Sequence, residues 1–116
     1  MIKITIVRRL DNKVTGLQVK GHAGAGAYGT DIVCAAVSAL AQSVILSFAK
    51  HLHSNIDYDI KEGYLRLTLQ DPPTDFTEAV FSVAVLGFTE IEKNNPNLVR
   101  NCNAPSELVG QINDYI

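Results

Sequence analysis

Two side chains in this sequence can do nucleophilic chemistry together: His22 and Cys34, near the two ends of the run Gly21-His22-Ala23-Gly24-Ala25-Gly26-Ala27-Tyr28-Gly29-Thr30-Asp31-Ile32-Val33-Cys34. A thiol is a weak nucleophile until it loses its proton, and a helix N-terminus and a neighbouring imidazole both favour the thiolate. This stretch offers both. The histidine follows a strand-like run, and the cysteine opens a long apolar segment of helical period. Between them lies a glycine-rich loop whose Gly24, Gly26, Tyr28 and Gly29 are candidates for meeting a substrate and are expected to be mobile without one. With Asp31 as N-cap, Cys34 falls at the third helical position, its amide among the orphan donors and its sulfur near the positive end of the dipole. Asp31 either caps the helix or orients His22. Ser38, one turn after Cys34, either lines the site or bonds back to the Cys34 carbonyl. A lone histidine is usually structural and a lone cysteine usually an inert filler. Neither reading explains why a loop delivers a histidine to the helix end that carries the cysteine.

The same loop is a literal G-x-G-x-x-G, so nucleotide binding must be weighed. It fits poorly. The preceding strand belongs to a hairpin, whereas the dinucleotide fingerprint needs a parallel β-α-β unit. All three glycines precede the helix-starting pair Thr30-Asp31. Where an acidic residue should bind a ribose stands Phe48-Ala49-Lys50. His51 and His53 with Asp57 and Asp59 suggest a metal only weakly, and as a helix end they need none. No metal or cofactor is expected.

The elements that must position the pair can be read from periodicity. Residues 2–9 alternate, with Ile2, Ile4 and Ile6 on one face; after a turn at residues 10–13, Leu17 and Val19 oppose Gln18 and Lys20. This is an antiparallel hairpin, with Gly16 marking a possible bulge. His22 shares the parity of Gln18 and Lys20, which puts it at an accessible edge. Val33, Val37, Leu40, Val44 and Phe48 define a helix to about residue 52. A second hairpin follows, Ile56 to Ile60 and Leu65 to Leu69, ended by Asp71-Pro72-Pro73. Thr74 or Asp75 caps a second helix at about 75–94, with Glu78 in capping-box position to Asp75. That helix is apolar almost all round, which suggests burial on more than one side, as at a subunit interface. Leu98 to Asn101 forms a short last strand, and Cys102 is an apolar filler. The fold expected is a two-layer α+β domain of order ββαββαβ: an antiparallel sheet from two hairpins plus a short last strand, with two long helices. Residues 1–103 form one domain and 104–116 an extension of unknown role.

The chain has 116 residues, 47% of them apolar, and a net charge of −2. That is enough for a core and too apolar for disorder. The charges are scattered with no basic patch, so direct nucleic-acid binding is not expected. The N-terminus runs straight into a strand and does not resemble a signal peptide. No consecutive apolar run reaches membrane length. Two cysteines make no disulfide framework. A soluble, cytoplasmic domain is expected.

Gly21-His22-Ala23, Tyr28-Gly29, Asp31-Ile32-Val33-Cys34-Ala35-Ala36 and Ser38 together resemble the signature of the bacterial ribosomal-processing cysteine protease family, Prp. The order of elements fits that family to about residue 103. The resemblance implies a homodimeric α+β domain that removes a short N-terminal extension from the precursor of a large-subunit ribosomal protein. It implies that His22 and Cys34 are the catalytic pair. The rival readings are a non-catalytic ribosome-assembly factor that binds the same protein, and a small-ligand domain using the glycine loop.

Overall fold

The computed structural model describes residues 1–22 and 30–106, with the backbone alone at Thr30 and Asp31. The loop candidates Gly24, Gly26, Tyr28 and Gly29, and the tail from 107, lie outside the described residues.

The elements run β1 (Ile2–Arg8), β2 (Val14–Lys20), α1 (Thr30–Leu46), a π-helical turn (Ser47–His51), β3 (Ile56–Lys61), β4 (Tyr64–Leu69), α2 (Asp75–Asn94) and β5 (Val99–Pro105). This is the expected ββαββαβ order. The five strands make one open sheet in the order β3-β4-β2-β1-β5. Both hairpins are antiparallel, and β2 joins them by pairing antiparallel with β4. The last strand docks parallel to β1, with Ile2 opposite Val99 and Arg8 opposite Pro105.

Alternation along the strands sends Ile2, Ile4, Ile6, Leu17, Leu65, Leu67 and Leu69 to one face. There they form a single core with Val33, Val37, Ala41, Val44 and Phe48 of the first helical segment and Phe81, Ala84 and Phe88 of α2. Phe48 and Phe81 meet edge to face at a centroid distance of 4.8 Å, which locks the two helices together. The helical segment Ile32–His51 is 20 residues long and apolar enough to cross a membrane by length and composition. The sequence count of consecutive apolar residues missed this because Ser38, Gln42, Ser43 and Ser47 interrupt the run. Here its Val33-Val37-Ala41-Val44-Phe48 face is core.

Four details differ from the periodicity. First, α1 starts at Thr30, so Asp31 is its second residue and not its cap. Second, α2 is capped by Thr74 through a reciprocal box with Thr77. Glu78 serves another purpose: its Oε1 accepts the Val14 N–H at 2.7 Å. That amide lies beside a register shift, where Val7 pairs with Gly16 but Arg8 with Val14, the bulge expected near Gly16. Glu78→Ala is therefore expected to lower stability by about 1–3 kcal/mol, the cost of stranding a part-buried donor, as measured by urea unfolding. An unchanged midpoint would show that water replaces the carboxylate.

Third, β5 runs on through Cys102 to Ala104 and Pro105, the first two residues assigned to the extension. The apolar pattern does not show this because an inward position is polar. Asn101 Nδ2 donates to the Phe88 carbonyl at 3.1 Å and to Glu92 Oε1 at 2.8 Å. Fourth, the register gathers charges that are scattered in sequence. Lys3 lies between Lys20 and Arg100 in one cross-strand row, continued by Tyr64 and Lys61.

Candidate active site

The site begins where β2 ends. Lys20 pairs with Tyr64, so the residues just beyond, Gly21 and Gly63, meet across the top of the β2–β4 ladder. The Gly21 N–H donates to the Gly63 carbonyl at 2.9 Å. Gly21 has φ +94°, a conformation L side chains rarely adopt, and it turns the chain out of the strand. His22 follows, exposed as its parity predicts. Its ring lies against Gly63, the φ +69° residue of the β3–β4 turn.

Cys34 approaches from α1. It is half-buried between the core residues Val33 and Val37. Helical side chains lean toward the N-terminus, so its sulfur leans toward the first turn of α1. As the fifth residue of the helix, however, its amide belongs to the i→i−4 ladder. The expectation that the Cys34 amide is an orphan donor is thus corrected: the amides without a partner inside the helix are those of the first turn ahead of it. The dipole acts on the thiol from one turn away, where its effect is weaker.

His22 and Cys34 line the same pocket, of about 210 Å³. One wall is the face of α1 bearing Cys34, Val37, Ser38, Ala41 and Gln42. The apolar floor is Ile2, Val19 and Leu65, and the opposite wall is Ile60, Lys61, Gly63 and Tyr64. Ser38 lines the pocket, as one of its two readings holds, and its Oγ accepts from Gln42 Nε2 at 2.7 Å. Lys61, a lining residue, pairs with Asp59 at 3.2 Å on the exposed surface, its ammonium 5.8 Å from the Tyr64 ring centroid. Among the described residues no group of three or more His, Cys, Asp or Glu side chains gathers to hold a metal. His53 adopts φ +50°, letting the Ser54 N–H return to the Phe48 carbonyl at 2.8 Å and close the helix. Cys102 stands apart from the pocket on β5, with its sulfur 3.6 Å from Thr5 Oγ1.

Sequence reasoning missed the whole β3–β4 wall and Gln42. Gln42 carries a readable signal, since it sits two turns beyond Cys34 on the same helix face. The hairpin wall carries none. Lys61-Glu62-Gly63 reads as a turn, and only strand pairing brings it to His22.

A pocket flanked by a cysteine and a histidine suits acyl transfer through a thiolate. The model of the cysteine protease Prp family matches residues 1–100. The ribosomal processing cysteine protease Prp of Staphylococcus aureus is 30% identical over 105 residues, covering 87% of this chain and 98% of that protein. The crystal structure of SMU.848 from Streptococcus mutans superposes with a TM-score of 0.80 at 29% identity, covering 90% of this chain and 95% of that one. The S. aureus Prp, in complex with a covalently linked product peptide, shares the fold with a TM-score of 0.81, covering 90% of this chain and 100% of that one. Over the superposed residues its identity is 24%. Pocket, motif, fold and relatives agree, and this chain belongs to the cysteine protease Prp family.

Proposed function

We propose that this protease removes a short N-terminal extension from the precursor of a large-subunit ribosomal protein, with Cys34 as nucleophile and His22 as acid and base. The observation that carries this reading is the convergence of the two side chains on one pocket from separate elements, β2 and α1. The relatives' names supply the substrate class: the S. aureus protein is a ribosomal processing protease and has been crystallised with a substrate peptide.

In the proposed reaction the Cys34 thiolate attacks the scissile carbonyl, forming a C–S bond and an oxyanion. The first-turn amides of α1, toward which the sulfur leans, are the donors assigned to that charge. His22, protonated by the thiol, gives its proton to the leaving amine as the C–N bond breaks. His22 then takes a proton from water, whose oxygen attacks the thioester and frees the carboxylate and Cys34. The apolar floor and the α1 wall receive the residues beside the scissile bond, with Ser38 and Gln42 offering polar contacts at the side. A thiol nucleophile must stay reduced, which suits the cytoplasm.

The test is incubation with a synthetic peptide spanning the N-terminal extension of a large-subunit ribosomal protein, read by mass spectrometry. Two fragments from one internal cut are expected. Binding without cleavage would favour the assembly-factor reading.

We also assign the working unit as a homodimer. Although Phe81, Ala84 and Phe88 on the other side of α2 are in the core, its Phe76, Val83 and Leu86 remain 72%, 66% and 67% exposed. They recur at helical spacing on its outer side. Val83→Glu with Leu86→Glu is expected to shift sedimentation at micromolar concentration from dimer to monomer. A wild-type monomer under those conditions would refute the dimer.

A further inference from the structure

Gly63 stands outside every sequence motif of this chain, yet it is the residue that the His22 ring rests on. A Cβ placed on Gly63 would lie 2.7 Å from His22 Nε2, 3.2 Å from Cε1 and 3.4 Å from Cδ2. The first of these distances is one that real Cβ atoms do not show. The same residue receives the Gly21 N–H through its carbonyl at 2.9 Å, fixing the backbone one step before His22. Gly63 thus meets this segment twice, by its carbonyl on the Gly21 N–H and by the open side of its Cα, which faces the His22 ring. Both contacts come from the β3–β4 turn, which also lines the pocket.

We propose that Gly63 is a positioning residue for catalysis, its missing side chain leaving the space in which the His22 imidazole stands at working distance from the substrate cleft. This rests on the reading of His22 and Cys34 as the reactive pair. Any side chain at Gly63 must push the ring aside, because the atoms it meets are the tip of a side chain and not backbone. The ring can yield without unfolding the protein. To regain ordinary contact it must move on the order of 1 Å, a misplacement that costs about 100-fold in rate when a reacting group is held by proximity.

A merely conformational need for glycine makes a different forecast. At φ +69° alanine is strained but asparagine is tolerated, and this chain itself places Asn12 at φ +70° in the β1–β2 turn. Gly63→Asn therefore relieves the backbone while keeping the offending Cβ. Gly63→Ala and Gly63→Asn are both expected to lower kcat by about 100-fold, with KM within about threefold of wild type. Both are expected to move the His22 ring-proton resonances, and circular dichroism should show a folded protein in each. In the wild type, a nuclear Overhauser effect between Gly63 Hα and the His22 ring is expected, which holds whether or not the variants fold. Wild-type kcat in Gly63→Asn, a loss confined to KM, or absence of that Overhauser contact would overturn the proposal. Turnover that survives Cys34→Ala would overturn the catalytic reading instead, and the Overhauser contact and ring shifts would still judge the contact on its own.

Discussion

Cys34→Ala and His22→Ala are each expected to bring peptide cleavage to background, a loss on the order of 10⁴–10⁶ in kcat. In the proposed reaction the two residues act in one covalent step: without the thiolate there is no acyl-enzyme, and without the imidazole the leaving amine has no proton donor. Residues that act as a unit are not additive, so the double variant should be no slower than either single one. The fold should survive. His22 is exposed and Cys34 only half-buried, so neither truncation leaves a large core cavity. Cys102→Ala is the internal control. Its thiol lies on β5 beside Thr5, away from the pocket, and its removal should leave turnover unchanged. Undiminished cleavage by the Cys34 or the His22 variant, with melting curves intact, would refute the assignment.

Much of this site was legible because the loop that joins its two residues is short and lies between elements of clear period. The parity of β2 placed His22 at an accessible edge, and the i, i+4 spacing of Cys34 and Ser38 placed both on one helix face. What the sequence concealed came from pairing between distant strands. Gly63 is an ordinary turn glycine until β4 is laid against β2, and then it lies under the imidazole. The row Arg100-Lys3-Lys20 is equally invisible, since like charges set side by side across strands are separated along the chain and cost only a fraction of a kcal/mol to about 1 kcal/mol each.

Other differences trace to side chains that satisfy backbone groups at a distance. Glu78 sits in capping-box position, but Thr77 fills the box and Glu78 reaches across to the Val14 amide. β5 has no apolar alternation because Asn101 faces α2, where its Nδ2 donates to the Phe88 carbonyl and to Glu92 Oε1. The start of α1 lies two residues earlier than a cap at Asp31 implies, with Thr30 and not Ile32 as the first helical residue. That shift decides whether the Cys34 amide is one of the first-turn donors or a rung of the helix.

Gly21→Ala is expected to damage both stability and activity, and it differs from Gly63→Ala in a way the contacts dictate. At Gly63 the added Cβ meets the tip of a side chain, so the ring moves and the fold stays. At Gly21 it would collide with the backbone carbonyl oxygen of Met1. That carbonyl cannot swing away freely, because the next amide, Ile2 N–H, is bonded to the Leu98 carbonyl at 2.8 Å at the start of β1. The φ of +94° adds strain of about 1–3 kcal/mol for a residue with a Cβ, and forcing the strand ends apart adds about 1–3 kcal/mol more. Asparagine offers no escape, since the collision depends on the Cβ alone. Part of the strain can be relieved only by breaking the Gly21 N–H bond to Gly63, and that shifts His22 itself. Gly21→Ala and Gly21→Asn should therefore melt well below wild type and lose at least about 100-fold in kcat at temperatures where they remain folded. Wild-type melting and wild-type turnover in Gly21→Ala would show that the chain after β2 is free to rearrange, and that the contact with Gly63 does not fix the histidine.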